Sequence, residues 1–216
     1  AADDREYTFS LVERGSRFSF YIMFILALPI LFETEFVLTI WLKHFPEHTV
    51  NFVRLVLVLS LCDIVSNTLI ALQNSTGRIR NYQLAVGGML MMNFPLSYLC
   101  LKVGLSPETV FIIAVVVSIC CLLLRLLFLR RMAGLSMSGF LKNVCLNLIK
   151  VTALAIAIPL AVSALVNLHG WGHFLLMVFV CLVCSSASVY FLGCSRNERH
   201  FIRQHIVAVK NKFLVR

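Results

Sequence analysis

Residues 63–98, DIVSNTLIALQNSTGRIRNYQLAVGGMLMMNFPLSY, contain two apolar segments separated by a short polar turn. The first segment carries a stripe of polar side chains, and the second contains Pro95. Two membrane-length segments joined by so short a turn must run antiparallel. Arg78 and Arg80 in the turn favour the cytoplasmic side. The position of this turn sets the expected orientation of the neighbouring segments.

The composition is typical of an integral membrane protein. Hydrophobic residues make up 60% of the 216 residues and charged residues only 13%, whereas soluble domains have about 45–50% apolar and about 25% charged residues. Lipid headgroups are sufficient to explain the net charge of +9, so we expect membrane lipids and no nucleic acid as partners. We predict an all-α fold, a polytopic membrane helical bundle.

The apolar runs are long enough for six crossings, since a helix needs about 20 residues to cross the hydrocarbon layer. Proline disrupts helix hydrogen bonding, so Pro29 and Pro95 predict kinks. Glu33, Thr34 and Glu35 predict an interruption near the outer boundary. The predicted transmembrane helices are 18–42, 49–73, 82–101, 108–131, 151–168 and 174–194.

The remaining segments are predicted to lie on the cytoplasmic side. Residues 1–17 are interpreted as a cytosolic approach segment, 138–150 as an amphipathic helix in the inner interface, and 195–216 as a basic cytosolic tail. All but three of the 19 Lys and Arg residues fall in segments assigned to this side, the exceptions being Lys43, Arg54 and Lys102. The positive-inside rule therefore predicts that both ends are cytoplasmic.

The second helix carries the most informative polar residues. Asp63 lies near its centre, where an aspartate raises the insertion free energy by about 2.5–3.5 kcal/mol and is too short to reach the interface. At 100° per residue it shares one side of the helix with other polar residues. A cavity-facing or ion-coupling role is one interpretation, and a satisfied structural aspartate is the other. The candidate cavity residues are Asp63, Ser66, Asn67, Gln73 and Asn74.

Two groups of charged residues flank this stripe. Arg54 projects from the other side of the second helix, at the depth of Glu33 and Glu35, so we predict an interhelical ion pair or, alternatively, charges that extend to the outer interface. Arg78, Arg80 and Arg125 are candidates for a basic entrance on the inner side or for interface anchors.

No pattern predicts a metal, a cofactor or an enzyme. Cys181 and Cys184 have the spacing of a redox or metal pair, but they lie in an apolar run without other ligands nearby. His169 and His173 lie among glycines with no third ligand in sequence. No nucleophile elbow or phosphate-binding loop is present. The residues fit a transporter better than an anchor.

Five motifs carry a resemblance to a known family: GSRFSF at 15–20, LPILFETE at 28–35, STGRIRNYQ at 75–83, VGG at 86–88 and NFPLSY at 93–98. They resemble the polysaccharide and O-antigen flippases of the multidrug/oligosaccharidyl-lipid/polysaccharide exporter superfamily. The similarity extends from residue 15 to the tail. Members are about twice as long and have two helical lobes. The resemblance therefore implies that this chain is the C-terminal part of a longer transporter, whose N-terminal helices are its partner.

The resemblance also implies a function in lipopolysaccharide or polysaccharide biosynthesis at the bacterial inner membrane. Such a protein moves a polyprenyl-pyrophosphate-linked oligosaccharide from the inner to the outer leaflet by alternating access, with cationic cavity residues on the pyrophosphate. One alternative is a cation-coupled multidrug antiporter of the same superfamily, which would use Asp63 for coupling. Another is a membrane-embedded subunit or enzyme of envelope synthesis.

Overall fold

The computed structural model describes residues 2–77, 79–165, 170–195 and 198–199. Every regular element in these ranges is helical, which confirms the all-α prediction. Two π-helical turns, Leu141–Cys145 and Val189–Gly193, interrupt or extend the α-helices. The α-helices are α1 (Ala2–Phe32), α2 (Thr34–Leu42), α3 (Thr49–Ser75), α4 (Arg80–Met91), α5 (Asn93–Lys102), α6 (Thr109–Ala133), α7 (Met137–Phe140), α8 (Leu146–Leu165) and α9 (Trp171–Ser188).

Six helical segments in the described ranges are long and apolar enough to cross a membrane, as predicted. They alternate in direction. The start of α1, the α3–α4 turn and the end of α6 therefore meet at one end of the bundle, which we call the basic end. The other end, with α2 and the α5–α6 turn, is called the opposite end. The six segments are Arg5–Phe32, Thr49–Ser75, Arg80–Lys102, Thr109–Ala133, Met137–Leu165 and Trp171–Gly193.

The first helix begins earlier than predicted. Residues 2–17, predicted as a separate approach segment, are already part of α1. Val12 is 8% exposed and Ser16 is fully buried. Burial of these positions against the bundle extends the helix beyond its apolar run, because tertiary packing overrides local composition. Residues 5–17 are thus part of the first spanning helix.

Breaks in the helices occur close to both predicted kink sites. The chain bends at Glu33, four residues after Pro29, which confirms the predicted interruption between α1 and α2. The third span is divided at Met92 into α4 and α5. Pro95 lacks the N–H that would bond the carbonyl of Met91, so the division lies where the proline removes a helical hydrogen bond.

The predicted interfacial helix 138–150 is not a separate element. It continues through a π-helical turn into α8, and together they form one segment, Met137–Leu165. The amphipathic pattern itself is correct, since Phe140, Val144 and Leu148 are all buried. They pack into the protein core with Phe24 of α1 rather than into lipid.

The first, second, fifth and sixth spans share the main core with the end of the fourth, and the third packs at one side. Within the described ranges α3 packs between α1 and α6, α9 packs on α1, and α8 packs on α9. The third span (α4 and α5) packs mainly on α6, and only 11% of its most apolar stretch is buried. The predicted fifth helix end, His169 and nearly all of the predicted basic tail lie outside the described residues.

Candidate functional site

Three polar residues of α3 lie on one exposed side of the helix. Asp63, Asn67 and Asn74 are separated by four and seven residues, a spacing that places them on one side, and all three are exposed. We call them the α3 polar face. The structure brings these three predicted cavity residues together along the helix half nearer the basic end.

The other two predicted cavity residues are directed elsewhere. Ser66 is 5% exposed and Gln73 is fully buried. The Gln73 side-chain amide nitrogen lies 3.4 Å from the Met132 sulfur of α6. The predicted stripe is therefore wider than the open face, because α6 covers its edge. The periodicity of α3 does not reveal which of its polar residues are buried, because that depends on where the neighbouring helix packs.

Asp63 is held from the side of α6. The Ser118 hydroxyl donates to Asp63 Oδ1 at 2.5 Å, and Ser118 itself is 5% exposed. A hydrogen bond to a charged acceptor is short and strong. In the part of the chain that the structure describes, this is the only hydrogen bond of the carboxylate, so most of its hydrogen-bonding capacity is available on the exposed side.

The contact between α1 and α3 sets the direction of the polar face. Ser16 Oγ donates to the Val65 carbonyl at 3.1 Å and is also hydrogen-bonded to the Thr68 hydroxyl. At Gly15 an added Cβ would lie 2.9 Å from Thr68 Cγ2, so only glycine permits this close approach. These contacts hold one side of α3 on α1 and leave Asn67 exposed.

The predicted ion pair at the opposite end does not form. Arg54 Nε donates to the Thr34 hydroxyl at 3.4 Å, and no ion pair of Arg54 occurs among the described residues. The depth prediction was correct, since Arg54, Glu33 and Glu35 line one cavity of about 330 Å³. Glu33 Oε1 instead lies 3.7 Å from His173 Nδ1, a neighbour on α9 that spacing in sequence does not reveal.

A second contact at the opposite end joins the residues that precede α3 and α6. His48 Nδ1 lies 2.6 Å from Glu108 Oε1, and the Asn51 amide donates to the same oxygen at 3.2 Å. Hydrogen bonds from its own backbone N–H, and then from His48, Asn51 and Ser106, lower the pKa of Glu108 to about 2. The sequence analysis missed this cluster, because its members are about 60 residues apart.

Of the three predicted basic-entrance residues, two are described and only Arg80 is at the basic end and exposed. Arg125 is partly buried: its guanidinium donates to the Tyr82 hydroxyl at 3.2 Å and lies 6.0 Å from the ring centroid. Arg125 therefore joins α6 to α4. Arg78 lies outside the described residues.

A further cluster at the basic end ties α1 to the end of the sixth span. Arg17 donates to Glu198 Oε1 at 2.9 Å, and the Tyr21 hydroxyl donates to the Gly193 carbonyl at 3.3 Å. Arg14 adds a longer contact to Glu198 at 3.7 Å. Opposite charges at such separation are invisible to local sequence patterns, so this cluster was also missed.

The described residues contain no group of three or more His, Cys, Asp or Glu side chains able to hold a metal. All eight cysteines are unpaired, and Cys181 is buried. Comparison of the chain with protein-family models, curated proteins and solved structures finds no match. The functional argument therefore depends on the residues and their geometry.

Proposed function

We propose that this chain is one lobe of a membrane transporter, in which the α3 polar face lines a water-filled passage. The observation that supports this proposal is the exposed carboxylate of Asp63 near the middle of a spanning helix. An aspartate at that depth raises the insertion free energy by about 2.5–3.5 kcal/mol. Contact of the Asp63 side of α3 with water or with another polar surface removes most of that increase in free energy.

The neighbouring polar residues support the same interpretation. Asn67 and Asn74 continue the exposed side toward the basic end. Side-chain amides in hydrocarbon lose hydrogen bonds at a cost of several kcal/mol. By contrast, the exposed side of α6 is apolar, with Ile112, Val116 and Leu123. The exposed side of α6 is therefore compatible with contact with lipid, whereas the exposed side of α3 favours contact with water.

Accessibility to a charged reagent tests the passage. In sealed membrane vesicles, Asn67→Cys should react with a membrane-impermeant thiol reagent, because a wet site permits the reactive thiolate. Leu123→Cys is the matched control, since it is exposed at a similar depth on the apolar side of α6. Modification at each site is read by peptide mass spectrometry, which separates the new thiol from the eight native cysteines. Equal protection of both sites would exclude a wet passage at α3.

For the substrate, we propose a lipid-linked oligosaccharide that is exported across the bacterial inner membrane. This proposal rests on the flippase-like motifs, such as STGRIRNYQ at 75–83 and NFPLSY at 93–98. A second lobe facing α3 would complete the passage, and alternating access would move the substrate. The full transporter containing this lobe should restore surface polysaccharide in a flippase-deficient strain. Failure to do so in a strain that makes the protein would reject this substrate.

A cation-coupled drug antiporter is the second candidate, and Asp63 specifically favours it. A carboxylate with one hydrogen bond on an exposed polar face can take up and release a cation. For this function, Asp63→Asn should abolish proton-driven drug efflux while the protein level is unchanged. Efflux that is equal in wild type and variant would argue against coupling at this residue.

A further inference from the structure

A cavity of about 440 Å³ lies at the basic end, between the start of α4 and the end of α6. Its volume is in the range of small-molecule sites, about 300–1,000 Å³. The lining joins apolar side chains to two arginines. The apolar residues are Ile79, Phe128 and Met132, and the arginines are Arg80 and Arg131.

The positive charges of the two arginines are not balanced by nearby negative groups in the described residues. Neither Arg80 nor Arg131 has a hydrogen-bond or ion-pair partner among the described residues, and no carboxylate is in the cavity lining. By contrast, Arg17 at the same end is paired with Glu198. Two positive groups in one cavity repel each other, and an anion between them would replace that repulsion with attraction.

We propose that this cavity binds the phosphate headgroup of an anionic phospholipid in the adjacent leaflet. Guanidinium groups present planar paired donors that match phosphate oxygens. The cavity lies at the end of two spanning segments, Arg80–Lys102 and Thr109–Ala133, where headgroups meet the protein. α4 begins at this cavity without a side-chain cap, so its first N–H groups add partial positive charge.

The apolar part of the lining favours a lipid over free phosphate. Phe128 and Met132 are partly exposed. Phe128 precedes Arg131 by three residues on α6 and so lies nearer the bilayer, and Met132 is next to Arg131. A phospholipid places its first acyl carbons against such side chains while its phosphate meets the cations. A free phosphate would not cover these apolar side chains, which would stay in contact with water. The site is independent of what the α3 polar face transports.

Native mass spectrometry of the full chain in detergent tests the site. The chain is titrated with phosphatidylglycerol and with phosphatidylcholine of the same acyl composition. Phosphatidylglycerol should bind more tightly, and Arg80→Gln or Arg131→Gln should each weaken its binding about fivefold, the effect of one basic residue near an anionic headgroup. Arg130→Gln is the matched control, because Arg130 is exposed on the same turn and does not line the cavity.

Three results of this titration would overturn the proposal. Phosphatidylcholine could bind as tightly as phosphatidylglycerol, Arg130→Gln could weaken binding as much as Arg131→Gln, or glycerol phosphate could displace the lipid at equal concentration. The last result would assign the cavity to free phosphate. A photoactivatable phosphatidylglycerol provides a measurement in the unmodified chain. It should label peptides containing Phe128 or Met132, and labelling confined to other surfaces would also overturn the assignment.

Discussion

Gly193→Ala should destabilise the bundle, because Gly193 lies directly on the ring of Tyr21. A Cβ added at Gly193 would lie 2.8 Å from Tyr21 Cζ and 2.9 Å from both Cε2 and the hydroxyl oxygen. Tyr21 cannot easily move away, since it is 2% exposed and packs edge-on against Phe18 and Phe20. Its hydroxyl also donates to the Gly193 carbonyl.

The size of the effect follows from three terms. Forcing a methyl group into a packed site costs about 1–3 kcal/mol, and weakening the Tyr21 hydrogen bond removes about 0.5–1.5 kcal/mol. Alanine recovers about 0.5–1 kcal/mol over glycine, because it lowers the conformational entropy of the unfolded chain. The expected net loss is about 0.5–4 kcal/mol in the free energy of unfolding. Gly87→Ala is the matched control and should be neutral or slightly stabilising, because nothing lies within 4 Å of its added Cβ.

Equilibrium unfolding in mixed detergent micelles measures both variants. A double-mutant cycle with Tyr21→Leu separates steric overlap from general damage. Leucine is shorter, so Gly193→Ala should cost much less in that background, with a coupling energy of about 1 kcal/mol or more. The reasoning would be refuted if Gly193→Ala behaved like Gly87→Ala, or if its cost were unchanged by Tyr21→Leu.

Two further predictions concern charged contacts at the two ends of the bundle. Because the pKa of Glu108 is lowered from 4.5 to about 2, its contribution to stability is complete above pH 4.5 and is lost as the pH falls toward 2. Glu108→Gln should therefore flatten the fall in melting temperature between pH 5 and 2.5, and a parallel fall in both proteins would contradict this. At the basic end, Arg17→Gln should lower the free energy of unfolding by about 1–3 kcal/mol, since it leaves the nearly buried Glu198 without its closest positively charged partner. Arg14→Gln, with a side chain that is 54% exposed, should change it by less than about 0.5 kcal/mol, and equal effects of the two variants would contradict the assignment.

The sequence predicted the features that depend on local hydrophobicity. It located the exposed positions Asp63, Asn67 and Asn74 on one side of the second span, because helical periodicity relates neighbours along one element. It did not predict that Arg125 contacts Tyr82 or that Arg54 contacts Thr34 in place of a carboxylate. Both contacts depend on the rotation of one helix against another, and residue spacing within a helix does not contain that information.

By itself, the amino-acid sequence determined that this chain forms six apolar helices, because the free energy of placing a segment in hydrocarbon is nearly a sum over its own residues. Only the tertiary structure decided which sides of those helices meet. Packing between distant residues, such as Ser16 with Thr68 and Ser118 with Asp63, sets the rotation of α3. That rotation leaves the polar face open, and its physical origin is contact between surfaces far apart in the chain.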